Sequence, residues 1–238
     1  MVQSLAEDLL AIDDLELHVL ADSRLPPFWP EGCSAHEVNG KKDERHCLKS
    51  LAENCEITLV IAPEFDKILL TRCQWVASVG GTLFTPDDEF VELAGDKQKL
   101  ADHLQAAGIP VPQSVALHDD EQLPQDFPFP AVLKPIDGAG SLDVNLVDSA
   151  SELNAYRSAR QLWRLETFKP GIPASVAVLC GPQHVVLLPN QQLLTDDGTF
   201  NYLGGSWPLA AGDQERAVTL AARVVAALPA TRGYIGID

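Results

Sequence analysis

The 238-residue chain predicts an α/β unit followed by a largely antiparallel α+β part. Two observations carry this. Ile57-Thr58-Leu59-Val60-Ile61-Ala62 is a compact, apolar, β-rich run of the kind that a parallel sheet covers on both faces. From Ala131 onward the pattern changes to successive β-rich segments separated by glycine and proline turns. The first domain is therefore placed at residues 1–94 and the second at 95–238.

Ser4–Ile12 has helical spacing through Leu5, Leu9 and Leu10, and Leu15–Leu20 alternates as a half-buried strand does. Residues 26–42 hold Pro, Gly, Asn and charge and are predicted as loop. A short helix is expected over 44–54, and the Ile57–Ala62 strand stops at Pro63. Residues 64–79 read as helix closed by Gly80-Gly81, with a short strand at Thr82-Leu83-Phe84 and a hinge over 86–95. Asp96 is placed to N-cap a helix through Ala107, whose Leu100, Ala101 and Leu104 form an apolar stripe. Gly108 and Pro110 end that helix. Pro112–Ala116 is expected to be extended, and acidic, proline-rich Asp119–Pro130 to be loop. Strands are predicted at Ala131–Pro135, Asp143–Val147, Ser175–Cys180 and His184–Pro189. An amphipathic helix over Asp213–Leu228 precedes a strand that opens at Gly233 and is interrupted at Asp238, so the C-terminal part of the second domain is expected to be missing.

Seventeen Lys and Arg against thirty-four Asp and Glu give a net charge of −17. Nucleic-acid backbones and anionic membranes both require a concentrated positive surface, so neither is an expected partner. No apolar run approaches the roughly 18 residues of a membrane span, and the N-terminus lacks a signal peptide's basic flank. A cytoplasmic protein is expected, consistent with five widely spaced cysteines, Cys33, Cys47, Cys55, Cys73 and Cys180. Cys33-x-x-His36 with His46-Cys47 carries zinc-ligand types, but adjacent residues do not easily reach one tetrahedral centre, and a solvated loop is the better reading.

The segment from Lys134 through Gly138-Ala-Gly140-Ser141 to Val144 is the most informative one. Asp143 stands where a dinucleotide fingerprint needs its third glycine, and the segment lies between two strands rather than before a helix. No Gly-Lys-Ser/Thr follows for a Walker loop. What remains is a pliable loop whose amides and Ser141 hydroxyl can donate to polyphosphate while Lys134 supplies charge. An ordinary hairpin with a surface lysine fits the same residues. Lys97, on the first turn of its helix, is a second candidate cation.

Gly95-Asp96-Lys97, Ala106-Ala107-Gly108-Ile109-Pro110-Val111-Pro112, Phe129-Pro130-Ala131-Val132-Leu133-Lys134-Pro135, Leu165-Glu166-Thr167-Phe168-Lys169-Pro170-Gly171 and Gly233-Tyr234-Ile235-Gly236-Ile237-Asp238 occur in that order. Together they resemble the ATP-grasp superfamily over residues 95–238, with 1–94 as the small Rossmann-like preceding domain. Val60–Asp66, Asn190-Gln191-Gln192 and Phe200–Gly205 resemble its tyramine–glutamate ligase branch. The resemblance implies ATP phosphates on Lys97 and Lys134, with Gly138, Gly140 and Ser141 closing over them. It implies Glu166 on the adenine amino group, Thr167 and Phe168 backbone on the other ring edge, and Asp238 as a Mg²⁺ ligand. The implied reaction phosphorylates a small-molecule carboxylate with ATP, after which an amine attacks the acyl phosphate; a homodimer is compatible with it. Glu64, Asn190, Tyr202, Gly204 and Gly205 are the substrate candidates, although Glu64 also suits a helix cap and the glycines a plain turn.

Two departures stand out. Ile172-Pro173-Ala174-Ser175 occupies the stretch where the superfamily places an acidic ribose ligand. The Glu-x-Asn segment that completes the metal set would lie beyond Asp238, so this chain is expected to be catalytically defective. A non-catalytic nucleotide-binding module is the competing expectation, and an α/β protein without ATP affinity is a third. Trp163 and Trp207 are expected to pack, and neither His103 nor His118 has a visible partner in the sequence.

Overall fold

A computed structural model describes residues 2–26, 28–118, 123–156 and 162–238. They fall into two compact units. The first runs to Ala62 and adds Leu69–Phe84; the second takes Pro63–Ile68 and then everything from Thr85 to Asp238.

In the first unit, helix α1 (Val2–Leu10) precedes β1 (His18–Asp22) and β2 (Ser34–Val38), which pair in parallel with His18 opposite Ser34. β2 lies inside the stretch expected to be loop; its pairing with β1 overrides a polar composition. Helix α2 (Lys41–Asn54) starts directly after Gly40, so Lys41 and Lys42 are helical rather than looped. Leu48 and Ala52 of α2 pack on Trp75 and Val76 of α3 (Ile68–Ala77), forming this unit's core. Residues 57–62 depart from the two-faced strand that their composition predicts. Thr58 makes one parallel bridge to Leu83, while Ile57, Leu59 and Ile61 are exposed and Val60 packs on the core. The run is one-faced, because every second apolar side chain is uncovered.

The second unit opens with α4 (Asp88–Ala94), where a hinge was expected. Phe90 and Val91 are buried, which is what orders the segment. Helix α5 (Lys97–Ala106) comes next, its N-cap Asp96 accepting from the amides of Gln98 and Lys99 at 3.1 and 3.0 Å. Strands β3 (Ser114–Leu117), β4 (Ala131–Pro135) and β5 (Asn145–Val147) join β6 (Trp163–Thr167) in an antiparallel sheet of order β3-β6-β4-β5. Between β5 and β6 lies the short helix α6 (Leu153–Tyr156). Of the loop expected over Asp119–Pro130, residues 119–122 lie outside the described residues.

A second sheet contains β7 (Ala174–Cys180), β8 (Val185–Val186), β9 (Asn190–Leu194), β10 (Tyr202–Ser206) and β11 (Gly233–Ile237), in the order β10-β9-β7-β11 with β8 on β7. Helix α7 (Ala211–Ala227) covers it: Val225 packs with Phe90, Val178, Cys180 and Ile235. Strands β6, β9 and β10 were not expected. Charges at 164 and 166, amides at 190–192 and glycines at 204–205 conceal their β periodicity. Trp163 is buried as expected, but Trp207 is exposed. Among the described residues, no helix is long and apolar enough to cross a membrane.

Candidate functional site

The site grows from the alternation of β4 and β6. Ala131, Leu133, Trp163 and Leu165 turn to one face and join Leu117, Phe127, Val147 and Leu153 in a closed core. Period two then sends Lys134, Arg164 and Glu166 to the opposite face, where β4 and β6 set Lys134 directly opposite Arg164. Lys134 Nζ donates to Glu166 Oε1 at 2.5 Å, and Arg164 Nη2 lies 3.0 Å from Glu166 Oε2. Three ionised groups thus form one compact cluster, with side chains only 8 to 20% exposed.

Lys97 comes to the same place from α5. Its backbone N–H donates to Ile136 O at 2.9 Å and its Nζ to Gly138 O at 2.6 Å, so both ends of the residue are tied to the chain leaving β4. Burial, and next the charge of Lys134, push Lys97 down to about 8, against the opposing pull of Asp137 and Glu64. Burial also lowers Lys134, with Glu166 offsetting part of the effect. Glu64 is raised by burial, opposed by Lys97. The structure therefore brings Lys97, Lys134, Glu64 and Glu166 into one electrostatic neighbourhood.

The glycine loop closes this neighbourhood. Gly138 and Gly140 have φ of 83° and 73°, and Ser141 has 59°, so the turn runs through left-handed backbone that glycine enters at least cost. Ser141 Oγ donates to Phe200 O at 2.7 Å, and Leu146 N–H donates to Gly198 O at 2.8 Å. The connection between β9 and β10 thereby holds the loop's far side. Phe200 also stacks on Phe168, with centroids 5.9 Å apart. Asp137 Oδ2 accepts from the Asp66 amide at 3.1 Å, which pins residues 63–68 against the loop.

Other expected residues are placed differently. The Thr167 and Phe168 amides already donate to Gln113 O and Pro130 O, so these two N–H groups are engaged within the chain. Asn190, Tyr202, Gly204 and Gly205 lie on the β9–β10 pair, where the register shifts between Tyr202 and Gly204. His103 Nε2 lies 2.7 Å from Ala227 O, a structural partner the sequence did not reveal. Glu64 sits at the N-cap of the short turn Phe65–Lys67 but makes no side-chain capping bond. Arg164 was missed altogether; the available signal was its spacing of two from Glu166 on a strand.

The residues suit a polyphosphate: two ammonium groups on separate elements converge beside a loop of left-handed backbone. Asp238 Oδ1 accepts from Gln192 Nε2 at 2.7 Å, and Asp238 is among the charges that act on Lys134. Among the described residues, no group of three His, Cys, Asp or Glu could hold a metal ion. That includes the Cys33/His36/His46/Cys47 neighbourhood, in which His36 Nε2 lies 3.0 Å from His18 Nδ1 and all five cysteines of the chain are free thiols. Mg²⁺ is commonly held by one or two carboxylates together with substrate phosphates and water.

Comparison with known proteins bears on the family and the fold. Residues 94–238 match the ATP-grasp domain, and residues 15–91 match the pre ATP-grasp 3 domain. A protein of Sinorhizobium fredii described as uncharacterized protein y4rH is 29% identical over 166 residues, covering 64% of this chain and 34% of its own length. The chain therefore spans about a third of that curated relative. An N5-carboxyaminoimidazole synthetase from Staphylococcus aureus superposes with a TM-score of 0.72 at 14% identity, covering 99% of this chain and 62% of that one. An L-amino acid ligase from Bacillus licheniformis gives 0.70 at 18% identity, covering 93% and 56%. A D-alanine–D-alanine ligase from Bacillus anthracis, complexed with ATP, gives 0.67 at 18% identity, covering 100% and 76%. At these identities the likeness concerns the fold.

Proposed function

The chain belongs to the ATP-grasp domain family, and from that premise we propose that it serves as an ATP-dependent ligase joining a carboxylate to an amine through an acyl phosphate. The observation carrying this reading is that Lys97, tied to the glycine loop at Gly138, lies close enough to Lys134 to feel its charge. ATP brings several negative charges, and two partly buried ammonium groups offset them. Lys97 and Lys134 would bind and orient the phosphates, and Gly138, Gly140 and Ser141 would close over them. Glu166 would meet the adenine amino group. Glu64, beside Lys97, and the β9–β10 residues Asn190, Tyr202, Gly204 and Gly205 would face the carboxylate and amine. Mg²⁺, when bound with the nucleotide, supplies charge neutralisation, and Asp238 would be its protein ligand. The likeness of residues 60–66, 190–192 and 200–205 to the tyramine–glutamate ligase branch supports an amino-acid-like carboxylate.

In the proposed reaction a carboxylate oxygen attacks the γ-phosphorus and ADP leaves. The amine nitrogen then attacks the acyl carbon, phosphate departs and the nitrogen loses a proton. A nucleotide-binding module without turnover is the second reading. ATP with Mg²⁺ is expected to raise the melting temperature, and Lys134→Ala to abolish the rise; an undiminished rise in the variant removes Lys134 from the site. Carboxylate-dependent ADP release, with hydroxylamine trapping the acyl phosphate, separates ligase from module.

A further inference from the structure

Lys134 faces two competing anions. Its ammonium is bound to Glu166 at 2.5 Å. Under the ATP reading, on which this inference rests, phosphate competes with Glu166 for this ammonium. Glu166 would then give up one of its two cations while its side chain is only 15% exposed, where a weakened ion pair is costly.

Arg164 sits where that loss can be made good. Its side chain is 8% exposed, it stands opposite Lys134 in the ladder, and Nη2 holds Glu166 Oε2 at 3.0 Å. Its Nε is buried without a hydrogen-bond partner among the described residues. A guanidinium presents its N–H groups as a planar fork that a carboxylate can occupy with both oxygens. Here one donor of the fork is in use and one is idle, while Lys134 occupies Glu166 Oε1. We propose that Arg164 is a positioning residue that takes over Glu166, closing its idle Nε on the freed Oε1, when Lys134 moves to the nucleotide's phosphates. Nucleotide binding is then an exchange of partners that leaves no buried charge uncompensated.

Calorimetric titration of the full chain with ATP tests this. Arg164→Met is expected to weaken ATP roughly 10- to 100-fold, the range of a hydrogen bond to a charged group. Glu166→Gln, which keeps an acceptor for an amino group but gives up the charge, is expected to tighten ATP by roughly tenfold on the same scale. Combining the two is expected to restore binding at least to the wild-type level, which a merely structural Arg164 would not permit. Where Arg164→Met does not fold, Arg164→Lys keeps the charge without the fork and carries the same expectations. The hand-over is overturned if the Arg164 variant binds as tightly as wild type, if Glu166→Gln weakens binding, or if the double variant stays as weak as the Arg164 single. A wild-type chain that binds no ATP overturns the ATP reading as well.

Discussion

Lys97 is half-buried at the first residue of α5, and its folded-state value of about 8 lies below the 10.5 of an ordinary lysine. Below pH 8 both folded and unfolded chains carry the proton, so the full cost of burying the ammonium is present. Between pH 8 and 10.5 the unfolded chain binds more protons than the folded one, and stability rises with pH. Urea unfolding of wild type and Lys97→Met should therefore show wild type gaining on the variant across that window, with no relative change below it. A constant difference would mean that the ammonium is solvated. Lys97, Lys134 and the glycine loop were legible because they are chemically conspicuous and keep a recognisable order. Arg164 was not, since an arginine two residues before a glutamate means nothing until β6 is known to be a strand. The engagement of the Thr167 and Phe168 amides was equally hidden, because it depends on partners some 38 to 54 positions away in sequence, Pro130 and Gln113.

Helix α5 carries Lys97 into position, and Asp96 anchors its first turn. Asp96→Ala should cost about 1 kcal/mol of stability by denaturant titration, and should weaken ATP binding beyond that if the first turn's Lys97 holds phosphate as proposed. Loss of stability with unchanged ATP affinity would uncouple the cap from the site. Elements with strong local signals were read closely: β4 at Ala131–Pro135, α5 with its cap, and α7 within two residues at its start. Elements ordered chiefly by tertiary partners were not. β2 exists by pairing with β1, α4 by burying Phe90 and Val91, and β9 and β10 by pairing with each other despite amides and glycines. The Ile57–Ala62 run failed the opposite way, since apolar composition alone cannot say whether one face or two will be covered.

Across the molecule the net charge of −17 opposes an incoming nucleotide, while the attraction of Lys97 and Lys134 acts only at short range. Salt screens the distant repulsion more effectively than the close contact. The association rate for ATP, followed by stopped flow, should therefore rise from low to physiological ionic strength; a falling rate would mean that a local positive field dominates the approach. The two units also interleave along the chain, since Pro63–Ile68 belongs with the second unit although α3 returns to the first. Anyone shuffling the leading unit between related genes must respect that arrangement. A single crossover near residue 85 would import a foreign hexapeptide in place of the one whose Asp66 amide holds Asp137, whereas a graft that retains the native 63–68 stretch keeps that bond intact.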